Sequence, residues 1–163
     1  MASPLIEHLL TEVVAACRRH YGSRLAAVAV FGSIGRGTAR PDSDIDLLVV
    51  ADDLPDGRVA RATDFTAVEA AVAPAVAEAR RAGLGAWLSP VLKTPAEIER
   101  GSPLLLDMVD DARILYDREQ FLEQALAGLR DRLIRLGARR IWRGSAWIWD
   151  LKPDYQPGEV FDL

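Results

Sequence analysis

The sequence predicts a mixed α/β (α+β) fold, a small mixed sheet flanked by helices. Half of the 163 residues are hydrophobic and 27% are charged, the balance of an ordinary globular chain long enough to bury a core. Two short apolar runs, "LAAVAVFG" at 25–32 and "DIDLLVV" at 44–50, read as buried strands. Helical and extended patterns then alternate as α-β-β-α-β-α-β-α, an order that builds one small sheet with helices against it.

The first helix opens at Ser3, an N-cap residue, with Pro4 at N1. Leu5, Ile6, Leu9, Leu10, Val13, Val14 and Cys17 recur at helical spacing opposite Glu7, His8, Glu12, Arg18 and Arg19, and Gly22 ends the run. Between the two apolar strands the connection is glycine-rich and has room for one helical turn. "ADDLPDG" at 51–57 is a surface turn. From about 58 to 82 the chain is alanine-rich and helical, with Phe65, Val68, Val72, Val76 and Ala79 on one side. Pro74 is expected to kink or interrupt this helix and Gly83 to stop it. "LGAWLSPVLKT" at 84–94 reads as a third strand, placed at an edge or bulge by Pro90. Short helices at Pro95–Arg100 and Pro103–Val109 precede a strand at "ARILYD". Asp117 and Gln120 have capping-box spacing for a helix that carries Phe121, Leu122, Ala125, Leu126, Leu129, Leu133 and Leu136 and closes at Gly137. These elements make residues 1–137 one domain. Residues 138–163 form an aromatic C-terminal tail expected to pack on that domain or on a partner.

The stretch with chemical content is "FGSIGRGTARPDSDIDLLVV", residues 31–50. Gly32, Gly35 and Gly37 permit backbone conformations that expose N–H groups, Ser33 adds a hydroxyl, and Arg36 adds positive charge. Such a turn favours bound phosphate. Seven residues beyond Gly37, Asp44 and Asp46 enter an apolar strand two apart, so both project from one face. Neighbouring carboxylates repel unless a cation neutralises them, and hard oxygen ligands with few protein neighbours suit Mg²⁺ that keeps water and phosphate oxygens. A glycine-rich turn alone is ordinarily a turn, and an acidic strand edge a solvated edge. Their juxtaposition points to metal-assisted phosphoryl or nucleotidyl transfer.

"GSIGRG" followed by "DSDIDLLVV" resembles the G-S-x-x-R-G…S-D-x-D-h-x-h signature of the polymerase-β-type nucleotidyltransferase superfamily, and the short chain looks like its minimal, stand-alone branch. The resemblance implies a polymerase-β-like fold, an ATP or other nucleoside triphosphate donor, Mg²⁺ and transfer of a nucleoside monophosphate to a hydroxyl. On the matching positions Gly32 and Ser33 contact the triphosphate, Arg36 and Gly37 belong to the same loop with Arg36 toward phosphate, and Asp44 and Asp46 are the catalytic, metal-binding acids. The resemblance extends to minimal members with a tail like "WIWDLKPDYQPGEVFDL", often paired with a small helical HEPN-domain protein in toxin–antitoxin modules. There the nucleotidyltransferase is the antitoxin, in some cases adding AMP to its partner. Family members usually place a third carboxylate on a later strand; here that strand is "GAWLSPVLKT", where Ser89 or Trp87 stands instead. Asp107, Asp110 and Asp111 lie in or after a helix and are poor substitutes. Two alternatives follow: an antitoxin of this fold that acts by binding alone, and transfer to a small molecule of the aminoglycoside type.

The remaining features are read more plainly. A net charge of −4 gives no global reason to expect nucleic-acid binding. Arg130, Arg132, Arg135, Arg139, Arg140 and Arg143 are read as a solvated helix face rather than an RNA-binding patch. Trp142, Trp147, Trp149 and Tyr155 are read as tail packing or a protein interface rather than base stacking. Cys17 is core, His8 and His20 are surface, and both homo- and hetero-oligomers are compatible with the chain. No run reaches the roughly 18 apolar residues of a membrane span, and the N-terminus lacks signal-peptide character. The expected location is a reducing cytoplasm.

Overall fold

β1 (Leu25–Val30) and β2 (Ile45–Ala51) pair antiparallel, Val30 opposite Leu47 and Leu25 opposite Ala51. The computed structural model describes residues 3–144 and 146–161. β3 (Leu88–Lys93) runs parallel to β2, and β4 (Arg113–Asp117) antiparallel to β1, giving the order β3-β2-β1-β4. The parallel pair needs a crossover, which α3 (Arg58–Arg81) supplies. Pro90 therefore falls on an edge strand, where its missing N–H costs no ladder bond on the open side.

Both faces of the central strands are covered, so these strands are apolar almost throughout. Ile45, Leu47 and Val49 face α1 (Pro4–Tyr21) and α3. Leu48 and Val50 face the opposite layer, built from α4 (Pro95–Glu99), α5 (Pro103–Met108) and α6 (Phe121–Arg135). Asp46 is the one residue of β2 that is not buried, and it lies on the side of Leu48 and Val50. The small side chains of Ala26, Ala27 and Ala29 in β1 are fully buried beneath the second layer.

Several expectations are corrected in detail. Ser3 occupies the N-cap position of α1 but contributes its carbonyl, to Glu7 N–H at 3.0 Å, and no side-chain cap. α3 runs through Pro74 without interruption: Pro74 lies on the exposed side, where the carbonyl it frees is open to solvent, while Val72 and Ala79 are held in the core on either side. Asp117 does cap α6, accepting Leu122 and Glu123 N–H at 2.9 Å, but across an intervening 3₁₀ turn, Arg118–Gln120. Glu119 and Gln120 are left-handed there and complete no capping box, and Arg118 beside them bonds to the Ser23 carbonyl and Asp52. His20 is not a free surface residue; its Nε2 lies 3.2 Å from Asp64 on α3. Cys17 is fully buried, and its thiol is pushed up to about 12 by that burial.

The aromatic tail forms a hairpin, β5 (Arg139–Arg143) with β6 (Ala146–Asp150), in which Trp142 faces Trp147 and Arg140 faces Trp149. Trp149 and Leu151 pack onto the second core, and Trp149 Nε1 donates to the Leu106 carbonyl at 3.2 Å. Among the described residues no helix is long and apolar enough to cross a membrane.

A true capping box opens α4: Thr94 accepts Glu97 N–H, and Glu97 accepts Thr94 N–H at 2.8 Å while pairing with Arg61 of α3 at 2.8 Å. The Arg61 hydrogen bond is the main cause that holds the Glu97 carboxyl near 2, below its usual 4.5. The folded-state pKa is depressed, so the stabilisation is present above the usual value and is lost as pH falls through the folded one. Glu97→Gln should lower unfolding stability by about 1–2 kcal/mol near neutral pH. In urea titrations, the gap from wild type should close as pH falls from about 5 toward about 2.

Candidate active site

The end of β1 and the start of β2 are tied by Phe31 N–H donating to the Asp46 carbonyl at 3.0 Å. The chain then turns at Gly32, with φ +63°, into the single helical turn α2 (Gly32–Gly35) foreseen between the strands. As the first groups of that turn, the amides of Gly32, Ser33 and Ile34 have no partner within it. The turn closes through Arg36 N–H to the Gly32 carbonyl and Thr38 N–H to the Ser33 carbonyl, at 3.1 and 2.9 Å. Gly37 follows with φ +72°.

Asp44 is exposed, one residue before β2 begins, and Asp46 is half-buried within the strand. The two halves of the motif meet at one point: a β-carbon on Gly32 would overlap Oδ2 of Asp46. Glycine is required there for space as well as for its positive φ. Burial pushes the Asp46 carboxyl up, Asp44 adds to that shift, and Arg36 opposes it. Two mutually repelling hard-oxygen donors beside an amide-lined turn are a donor set that fits a divalent cation sharing its shell with phosphate oxygens.

Ser33 is half-buried in α2, and Arg36, at the end of the turn, lies 3.7 Å from Asp111 and 4.7 Å from the centre of the Trp147 ring. The turn, Asp44, Asp46 and Arg36 are therefore brought together. Ser89 stands directly beside Asp46 in the parallel register of β2 and β3, and among the described residues no cluster of three acidic, histidine or cysteine side chains is placed to hold a metal. Asp110 and Asp111 are paired with arginines: besides the Arg36 contact, Arg140 lies 3.5 Å from Asp110 and 3.0 Å from Asp111, and Arg130 lies 3.8 Å from Asp110. The arginine run is thus not wholly a solvated face, since Arg130 also donates to the Val109 carbonyl and Arg140 is largely buried.

The positioning of Asp44 depends on Gly85 and Ala86, which the sequence reading passed over. Gly85 N–H donates to the Pro41 carbonyl at 2.5 Å, and a β-carbon at Gly85 would come within 2.9 Å of Asp42 and Ser43 backbone atoms. Ala86 is buried with φ +49°, and Ile45 N–H donates to the Trp87 carbonyl at 2.7 Å. The loop before β3 therefore clamps the "PDSD" segment from which Asp44 projects. A glycine next to an alanine in left-handed backbone has no signature in hydropathy, which is why the pattern hid it.

Gly32→Ala should destabilise the fold by about 2–3 kcal/mol, combining the cost of positive φ with the overlap. Gly37→Ala, which has open space around its β-carbon, should cost about 1 kcal/mol. A double-mutant cycle reads the overlap itself: Asp46→Ala should recover at least half of the Gly32→Ala loss, and purely additive unfolding energies would contradict the close approach.

The family model described as the nucleotidyltransferase domain matches residues 10–136. MJ1305 of Methanocaldococcus jannaschii, named as a candidate protein adenylyltransferase, is 30% identical over 138 residues, covering 83% of this chain and 88% of its own. Among solved structures, spectinomycin adenyltransferase from Enterococcus faecialis, bound to ATP and spectinomycin, shares the fold with a TM-score of 0.53 at 12% identity, over 79% of this chain and 67% of the other. A chain from the complex of tri-AMPylated HEPN toxin with MNT antitoxin from Shewanella oneidensis aligns with a TM-score of 0.47 at 16% identity, over 80% and 92% of the two chains. With the domain model spanning both strands of the site, the chain belongs to the nucleotidyltransferase domain family.

Proposed function

We propose that the protein transfers AMP from Mg²⁺-ATP to a hydroxyl group on a protein partner, a HEPN-type toxin for which it is the antitoxin. The observation that carries the nucleotidyl-transfer reading is the seating of the Asp46 carboxylate against Gly32. One short stretch thereby presents free amides, Ser33 and Arg36 to the donor phosphates and Asp44 and Asp46 to a cation. A protein acceptor is supported by the name of the archaeal relative. The HEPN partner is supported by the resemblance of the tail to that of antitoxins in such modules.

In this reading the α2 amides and Arg36 hold the β- and γ-phosphates, and Gly32 and Gly37 keep the backbone close to them. Asp44 and Asp46 would hold Mg²⁺, whose contribution when bound is to neutralise charge on the reacting phosphate. The acceptor oxygen bonds to the α-phosphorus, the bond to the bridging oxygen breaks, pyrophosphate leaves and the hydroxyl proton passes to solvent or a nearby base. Asp46 is half-buried and its carboxyl is pushed up by burial and then by Asp44, an environment that a bound cation would relieve.

The position of Ser89 beside Asp46 favours one second reading, an antitoxin of the same fold that neutralises by binding without transfer. The experiment that separates them is incubation with ATP labelled at the α-phosphate, Mg²⁺ and the HEPN partner. Label should appear on the partner, vanish with a chelator, and fall by at least about 100-fold in Asp46→Asn. Neutralisation that persists with no label at all would leave the binding-only reading in its place.

A further inference from the structure

The hairpin β5–β6 follows the residues matched by the domain model, which end at 136, yet it reaches the phosphate turn. Two guanidinium groups lie close to the Trp147 ring, Arg36 at 4.7 Å and Arg140 at 4.9 Å from its centre. Both arginines also share the Asp111 carboxylate, Arg140 at 3.0 Å and Arg36 at 3.7 Å. Behind this group the α2 turn presses on the same segment: a β-carbon at Gly35 would overlap the Asp111 carbonyl oxygen. The Arg140 side chain is only 12% exposed, and the Trp149 and Trp142 rings also flank it.

Asp110 and Asp111 are shared among Arg36, Arg130 and Arg140. Arg140 holds the short contact to Asp111 at 3.0 Å, and Arg36 keeps the longer one at 3.7 Å. An arginine side chain loses considerable rotamer freedom when it is fixed on a ligand, and an aromatic face that fixes it beforehand removes part of that cost.

We propose that Trp147 and Arg140 are positioning residues for nucleotide binding: the C-terminal hairpin holds Arg36 toward the donor triphosphate, through the Trp147 face and the Arg140–Asp111 pair. The assignment rests on the nucleotide reading above and adds to it a segment outside the matched domain. It concerns the polyphosphate and not the base, since the contacts it uses run to the guanidinium of Arg36.

The test is equilibrium binding of Mg²⁺-ATP and of Mg²⁺ with inorganic tripolyphosphate to the full chain, by titration calorimetry. Trp147→Leu should weaken both probes about 3- to 10-fold, the range of a partly buried cation–π contact. Trp147→Phe, which keeps an aromatic face, should restore most of the affinity. Arg36→Ala combined with Trp147→Leu should bind no more weakly than Arg36→Ala alone, a readout that general loosening of the tail would not give. Arg140→Lys, which keeps the charge and removes the planar fork, provides the same comparison if Trp147→Leu folds poorly; it should weaken both probes and add nothing to Arg36→Ala. Wild-type affinity, tighter binding or additive losses in the variants would overturn the assignment while leaving the nucleotide reading intact. Wild-type protein that binds neither probe would overturn both.

Discussion

The constraint on which the site depends is the absence of room between Asp46 and Gly32. β1 and β2 are adjacent and antiparallel, so the turn leaving one and the acid entering the other are brought together by sheet pairing before any ligand is present. Phe31 N–H to the Asp46 carbonyl fixes the register, and the Asp46 carboxylate then fills the space a side chain at Gly32 would need. A carboxylate held there is partly removed from water and faces a second acid, which is unfavourable in the free protein. Its environment is favourable only toward a cation, and the amides and arginine beside it only toward an anion. A metal–polyphosphate supplies both.

The surrounding fold serves that contact from both sides. Apolar packing beneath Ile45 and Leu47 anchors β2 against α1 and α3, so the strand carrying Asp46 cannot slide by one residue without exposing its core face. From the edge, the Gly85–Ala86 loop clamps the backbone before Asp44. On the far side, Gly35 presses against the carbonyl of Asp111. Three glycines therefore mark three close approaches of backbone to neighbouring groups.

Much of this was legible in the sequence because it is written in local pattern. The apolar strands, the helical repeats of α1 and α6 and the turn-plus-acid motif each lie within some twenty residues, where periodicity and spacing speak directly. What escaped was set by distant partners. Arg130 and Arg140 looked like parts of a solvated run because Asp110 and Asp111 belong to another element. Asp117 and Gln120 had capping-box spacing, but a 3₁₀ turn with left-handed Glu119 intervenes, its Arg118 bonded to the distant Ser23 and Asp52. Pro74 was read as a breaker because local propensity disfavours it, while the buried residues around it hold the helix together. The hairpin went unseen because its aromatic residues mark burial without saying in which backbone form. Strand register places Ser89 of "GAWLSPVLKT" beside Asp46, a neighbour that the strand assignment alone could name.

The contact between Arg36 and Trp147 joins residues more than a hundred positions apart, and this has a consequence for the order in which the protein matures on the ribosome. The two strands and the acids emerge early and can pair as soon as they are out, since chains fold from the N-terminal side during synthesis. The ring beside Arg36 comes after the whole matched domain. The nascent chain thus passes through an interval in which all four strands of its sheet are available and the turn at Gly32–Gly35 still lacks the ring beside Arg36.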